Sequence, residues 1–513
     1  MAKNIAFFHA NYLITYFHEL MLDRVQIHLD NKDNVFTFSC KKTYPVCDMN
    51  FFHKKTECNV CVRKQNLGDN LLSGIKDSDQ INLSAIDLNE EEKNIVRNYK
   101  IGKDLSNTEI RNLAYEDFEL GWGVLSSISN LYREPEPELS HMWDVVEKHI
   151  HTTLSIYLYA KRFFRDNNID LAYILNGRYA YERAFVSAAK ATNTKFYCFE
   201  RGAEFNSIRL VEGGGIHDKH KLTKDVLKTW DESINPDKET IGREYYENRM
   251  SITKQSLEKD DIFKEKNLGF FTQAQIQDKL PENFDKSKKN VVIFNSSEDE
   301  FRSLDISWKM DLYENQNVAT QTIFNDFANR DDINIYLRVH PNLAKLQTSN
   351  IKEIYDLDLH DNTFIIDGDS SVSTYALASH CDIVLVFGSS VGIESTFLRK
   401  PSILLGKAYY QYLDVCYIPK NHSEVINYIE HIPEPKPLEN VIKVGYFWLN
   451  FGEKTQYFKA QDILNCTFKG KNIHHLNLFG KIWRRGWQLP GFKHVLQPFE
   501  VAQSNTAYKK MLK

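Results

Sequence analysis

No stretch of the 513 residues approaches the roughly 18 consecutive apolar side chains that a membrane-spanning helix needs. Glycine and proline are sparse, 22 and 13 in all, which excludes a collagen-like or linker-dominated chain. A basic surplus is also missing: 64 Lys and Arg stand against 69 Asp and Glu, so no nucleic-acid partner is expected. Repeats of 20–50 residues and low-complexity tracts are absent. What remains is ordinary globular composition, 42% hydrophobic and 26% charged, long enough for about three domains or two large ones. The opening run is interrupted by His9, Asn11, His18 and Glu19. A secretory signal needs an unbroken apolar core, so this run reads as a buried strand entering an amphipathic helix. The expected location is the cytoplasm, where cysteines stay reduced thiols or metal ligands.

Strand and helix signals alternate. IAFF, a helix to about Leu29 and NVFTFSC open the chain; LAYILN (171–176) and KFYCFE (195–200) flank the helical YERAFVSAAKAT. After a charged, turn-rich stretch the alternation restarts with NVVIFN, INIYLRV, TFIID, DIVLVFG and SILLG. Such alternation predicts parallel sheets in an α/β fold of two doubly wound, Rossmann-like domains with helical insertions. The expected division is an N-terminal domain over 1–280, a C-terminal nucleotide-binding domain over 281–455 and a tail over 456–513.

The densest chemical signal is HCDIVLVFGSSVGIESTFLRKPSILLG (380–406), a strand running through Gly388-Ser389-Ser390 into a helix. Backbone N–H groups at a helix start, beside two hydroxyls, suit a phosphate. Gly388 and Gly392 would let the phosphate approach the backbone closely. Glu394, one turn on, is placed to accept from ribose hydroxyls. The plainer reading is a βα turn with a serine cap and a first-turn carboxylate. A second strand end, Arg338-Val339-His340-Pro341-Asn342, is expected at the same crevice: Pro341 stops the strand, His340 would donate to a phosphate oxygen and Arg338 would add charge. The polar loop Asn295–Glu300 either lines this crevice or starts a capped helix.

RVHP followed 48 residues later by GSSVGIEST resembles the His-Pro and Ser-Ser motifs of bacterial capsule and lipopolysaccharide glycosyltransferases of the GT-B fold. The likeness covers roughly 290–410 and extends to sialyl- and Kdo-type transferases and teichoic-acid polymerases. It implies two domains facing a cleft, with His340, Ser389 and Ser390 holding the donor phosphate and Glu394 its ribose. It also implies metal-independent transfer from a nucleotide-sugar donor to a saccharide or lipid-linked saccharide acceptor. The acidic catalytic motif of the sialyltransferases is not found, which leaves the donor base open. Three other readings stay open: a polyol-phosphate transferase using a CDP donor, a sugar-nucleotide 2-epimerase, and a sugar-nucleotide-binding assembly protein without turnover.

An acceptor-activating base is expected from the N-terminal domain. Two strand ends qualify, Asn176-Gly177-Arg178 and Glu200-Arg201-Gly202. Glu200 is the better base, with Arg178 or Arg201 neutralising an anionic ligand; an Arg–Glu pair tying two loops is the plainer alternative. His217 and Asp218 in EGGGIHDKHK are rivals. Inverting and retaining mechanisms are equally compatible with these residues.

Cys40, Cys47, Cys58 and Cys61 fall within 22 residues, half of the chain's eight cysteines. One C-x2-C knuckle plus two further thiols makes a structural zinc a candidate, with His53 as a substitute ligand; buried thiols without metal are the alternative. From Ile463 to Phe499 no acidic residue occurs, while Lys469, Lys471, Lys481, Arg484, Arg485 and Lys493 alternate with Phe479, Trp483, Trp487 and Phe492. That composition suits the anionic inner face of a membrane, or a tail packing back onto the N-terminal domain.

Overall fold

The computed structural model describes residues 2–9, 16–40, 42, 44–52, 54–74, 80–82, 88–251, 275, 278–344, 346, 348–474, 482 and 502–513. The chain divides into two compact units. One comprises Met1–Tyr132, Glu136–Ile216 and Gly452–Lys513, the other Arg133–Pro135 and His217–Phe451.

In the first unit, β1 (Asn4–Phe8), β2 (Asn34–Ser39), β3 (Gln80–Asn82), β4 (Leu171–Leu175), β5 (Lys195–Arg201) and β6 (Ser207–Glu212) form one sheet. Its order is β6-β5-β4-β1-β2-β3, with Glu453–Lys454 added outside β6. β1 to β5 pair in parallel, Ile5 lying opposite both Val35 and Leu171. β6 and the Glu453–Lys454 strand are antiparallel. Helices cover both faces, so β1 is buried on each side: Ala6 and Phe8 join Phe38 and Phe185, while Ile5 and Phe7 join Val25 and Tyr173. A doubly covered parallel strand therefore reads as a continuous apolar run, which is why IAFF is recognisable.

In the second unit, β7 (Lys289–Phe294), β8 (Ile333–Arg338), β9 (Thr363–Ile366), β10 (Ile383–Val386) and β11 (Ser402–Leu404) form an all-parallel sheet. The order is β11-β10-β7-β8-β9. Val291 and Ile293 pack into one core and Val292 and Phe294 into the other. Each sheet reverses strand order once, between β1 and β4 and between β7 and β10. Both units are thus doubly wound, and in such folds ligands bind beyond the carboxyl ends of the strands at that reversal.

The boundary expected at 280 is displaced to Ile216. Helices Lys219–Asp231 and Lys238–Met250 belong to the second unit. The latter crosses helix Glu439–Asn450 at two glycines: a Cβ on Gly445 would stand 2.2 Å from the Gly242 carbonyl oxygen. The charged faces of these helices hide their packing faces from a composition-based boundary. From Gly452 the chain belongs to the first unit, adding its edge strand and a hairpin of Phe458–Ala460 with Cys466–Phe468. Phe479, Lys481, Trp483, Arg484, Arg485, Trp487, Phe492 and Lys493 lie outside the described residues, as does His53. Among the described residues no helix is long and apolar enough to cross a membrane.

Candidate functional site

The second unit's crevice is built from three strand ends. Asn295-Ser296-Ser297 follows β7, Val339-His340 follows β8 and Gly388-Ser389-Ser390 closes β10. Asn295 joins the first two: its Oδ1 accepts the His340 main-chain N–H at 2.7 Å. Pro341 opens a short 3-10 turn, and the Asn342 N–H donates to His340 Nδ1 at 3.2 Å. A neutral His340 therefore carries its proton on Nε2. Burial, and then the nearby charges of Arg338 and Arg133, push its pKa down to about 4. At neutral pH the ring is an uncharged Nε2–H donor. Ser297 precedes the short helix Glu298–Phe301 but makes no cap bond, and its hydroxyl is buried without a hydrogen-bond partner among the described residues.

Arg338 does not add charge to a ligand surface as expected. It is 1% exposed, and its guanidinium donates to the carbonyls of Ile366, Asp367 and Ser370 after β9. Being on the last residue of a central strand, it braces the neighbouring strand's loop.

The two glycines also differ from expectation. A Cβ on Gly388 would lie 2.6 Å from the Lys407 carbonyl oxygen, and one on Gly392 would lie 2.3 Å from Tyr410 Oη. Both make room for protein atoms. Tyr410 donates in turn to the Ser389 carbonyl at 2.6 Å. The turn caps itself: Ser389 Oγ accepts from the Val391 N–H, and the Ser389 carbonyl from the Gly392 N–H. Ser389 and Ser390 stay half-buried at the crevice.

Glu394, expected to meet ribose hydroxyls, is 1% exposed. Its Oε1 accepts from Arg249 Nε at 2.9 Å and its Oε2 from the Tyr375 hydroxyl at 3.1 Å. Arg249 also reaches Ser390 Oγ at 3.5 Å. Arg249 and Tyr375 were not readable as site residues, because their partner lies 145 and 19 positions away respectively. Arg133 was equally hidden: it comes from a three-residue excursion of the chain and pairs with Asp299 at 2.9 Å.

In the first unit, Asn176 and Gly177 follow β4 with φ of 56° and 81°. A Cβ on Gly177 would stand 2.7 Å from Cys198 Sγ, so only glycine fits this left-handed turn. Asn176 Nδ2 donates to Glu200 Oε2 at 3.0 Å. Burial pushes the Glu200 carboxyl up, against that hydrogen bond and the charges of Arg201, Arg209 and Arg178. Arg178 is buried, with Nε donating to Ser126 Oγ at 2.7 Å, and Arg201 stacks over Phe205. One carboxylate thus stands among three guanidinium groups. Of the rivals, Asp218 caps helix Lys219–Asp231, accepting from the Lys221 N–H, and both it and His217 belong to the other unit.

The four clustered cysteines share a neighbourhood, since Cys40, Cys58 and Cys61 each add to the upward shift of Cys47. Asn50 Nδ2 donates to Cys58 Sγ at 3.1 Å. Among the described residues, the ligand-type side chains that gather three within 4.8 Å are not these but Glu19, Cys466 and His474.

Fold and site together define a two-unit α/β protein whose second unit gathers polar side chains after the carboxyl ends of β7, β8 and β10. Residues 243–425, about a third of the chain and wholly inside the second unit, match the family model described as capsule polysaccharide biosynthesis protein. No curated protein matches the chain. Among solved structures, KpsC, a beta Kdo 2,4 transferase of Thermosulfurimonas dismutans, is 13% identical over 54% of this chain and 79% of its own, with a TM-score of 0.32. The UDP-GlcNAc 2-epimerase of Neisseria meningitidis, bound to UDP-GlcNAc, is 12% identical over 88% and 96%, at 0.27. The glycosyltransferase SnogD of Streptomyces nogalater is 9% identical over 88% and 94%, at 0.22. At such low scores the architecture rests on the strand orders themselves.

Proposed function

We propose that this protein is a glycosyltransferase of capsule polysaccharide synthesis, moving a sugar from a nucleotide-sugar donor to a saccharide or lipid-linked saccharide acceptor. The observation that carries the reading is a coincidence: the stretch matching the capsule family contains the whole β7–β8–β10 crevice. In that crevice His340 donates its Nε2–H to a donor phosphate oxygen, and Ser389, Ser390 and the buried Ser297 hydroxyl supply further polar contacts. The uncharged ring suits this, because it binds the anion without titrating near neutral pH. Glu394 serves by holding Arg249 beside Ser390. Glu200 is the base for an acceptor hydroxyl, and the upward push that burial gives its carboxyl moves it toward the range useful for that role.

The test is a thermal-shift series with UDP, GDP, CDP, CMP and their common sugars, repeated on His340→Ala. Stabilisation by one base family, lost in the variant, supports the crevice and names the donor. No shift with any nucleotide removes the donor site. Products then separate the remaining readings. A polyol-phosphate transferase releases CMP, an epimerase converts its sugar nucleotide without acceptor, and a binding protein turns over nothing.

A further inference from the structure

Three segments far apart in sequence bring a carboxylate, a thiol and an imidazole together inside the first unit. Glu19 lies in the first turn of helix Phe17–Asp30, Cys466 starts the strand Cys466–Phe468, and His474 follows that strand. One ligand atom from each lies within 4.8 Å of the others. Cys466 Sγ is 3.4 Å from Glu19 Oε1, and His474 Nε2 is 2.5 Å from Glu19 Oε2. Ligand atoms on a tetrahedral zinc, each about 2.0–2.3 Å from the metal, stand about 3.3–3.7 Å from one another. The sulfur–oxygen spacing falls in that range, while His474 and Glu19 share a short hydrogen bond that metal entry would open.

We propose that Glu19, Cys466 and His474 form a binding site for a divalent transition metal, zinc by its ligand set, distinct from the cysteine cluster at 40–61. Burial separates this group from an incidental surface cluster: Glu19 and Cys466 are at most 1% exposed and the His474 side chain 6%. A fully buried carboxylate needs a compensating charge or donors, and a mixed sulfur, nitrogen and oxygen set matches zinc better than a hard cation. His474 turns Nε2 toward Glu19, so the imidazole already presents a ligand nitrogen beside the carboxylate. His9, at the end of β1, and His18, beside Glu19, are within electrostatic reach of His474 and are the imidazoles from which a fourth ligand would come. Metal entry displaces the Cys466 thiol proton to solvent and moves the His474 proton from Nε2 to Nδ1. The bound ion ties the returning C-terminal segment to the helix that follows β1.

The experiment is zinc stoichiometry of the full chain, purified without a metal-affinity tag and equilibrated with zinc before gel filtration. Cys58→Ser/Cys61→Ser and Cys466→Ala/His474→Gln are measured in parallel. The expected result is one zinc lost in the second variant and retained in the first, with unchanged circular dichroism in both. Absence of zinc from the wild type, or full retention in Cys466→Ala/His474→Gln, overturns the proposal. If that variant fails to fold, cobalt is added to Cys58→Ser/Cys61→Ser instead. A thiolate-to-cobalt charge-transfer band with tetrahedral d–d bands supports the site, and their absence refutes it. Activity plays no part in the readout, so the outcome is independent of the proposed reaction.

Discussion

Arg249 donates Nε to Glu394 Oε1 at 2.9 Å, with Glu394 wholly buried and the Arg249 side chain 13% exposed. The pair fastens helix Lys238–Met250 to the turn that carries Ser389 and Ser390. Removing one partner of a buried ion pair leaves the other charge uncompensated, which costs about 3–5 kcal/mol. Glu394→Ala should therefore lower the urea-unfolding free energy of the second unit by about that amount. A variant as stable as the wild type would return Glu394 to the ligand surface.

How far such relationships could be read from sequence depends on their range. Nine strands were legible, because Ile5–Phe8, Val291–Phe294 and Ile383–Val386 are buried on both faces and leave unbroken apolar runs. β6 was not: in Ser207–Glu212 the buried Ser207 and Arg209 break the apolar run of an otherwise largely buried antiparallel strand. That His340, Ser389 and Ser390 follow the carboxyl ends of β8 and β10 was legible from the apolar runs and Pro341. The direction of Arg338, the engagement of Glu394 and the displacement of the boundary to Ile216 did not. Those are fixed by partners tens to hundreds of positions away, for which local pattern carries no signal.

The second prediction concerns Gly392. A methyl group there meets Tyr410 Oη at 2.3 Å and Val386 Cγ2 at 2.7 Å. Tyr410 must move and give up its hydrogen bond to the Ser389 carbonyl. Gly392→Ala should cost about 1–3 kcal/mol by overpacking, and it should weaken nucleotide binding because Ser389 shifts. Differential scanning calorimetry with and without nucleotide reads both effects.

His340 makes a prediction in pH. Its folded-state pKa of about 4 lies below the unfolded 6.5, so between these values the unfolded chain binds more protons. The stability it contributes is intact above about pH 6.5, declines as pH falls and is gone below about 4. His340→Gln should flatten this part of the stability profile. Nucleotide affinity of the wild type should meanwhile show no titration by His340 near neutral pH.

Glu200→Gln should abolish transfer while leaving donor binding intact, since the amide keeps the shape and the Asn176 neighbour but cannot accept the proton. Because burial raises the Glu200 pKa, the wild-type kcat/KM should rise with pH through a midpoint above 4.5. Full activity in the variant would assign Glu200 to tying the loops after β4 and β5.

Arg338 separates bracing from ligand binding most directly. Its guanidinium donates to the carbonyls of Ile366, Asp367 and Ser370, and burial lowers its pKa to about 10 without removing its charge at neutral pH. Arg338→Met keeps the apolar stem and strips the donors; the Ile366 and Asp367 carbonyls keep the Val339 and Ser370 N–H groups, so the loss is that of charge-assisted hydrogen bonds to the loop after β9. The expected result is a loss of about 1–3 kcal/mol in unfolding free energy. Nucleotide affinity, compared well below the variant's melting temperature, should fall less than tenfold. The opposite pattern, stability unchanged and affinity lost by a hundredfold, would mean that the guanidinium turns to meet phosphate and that the loop after β9 is held by other means.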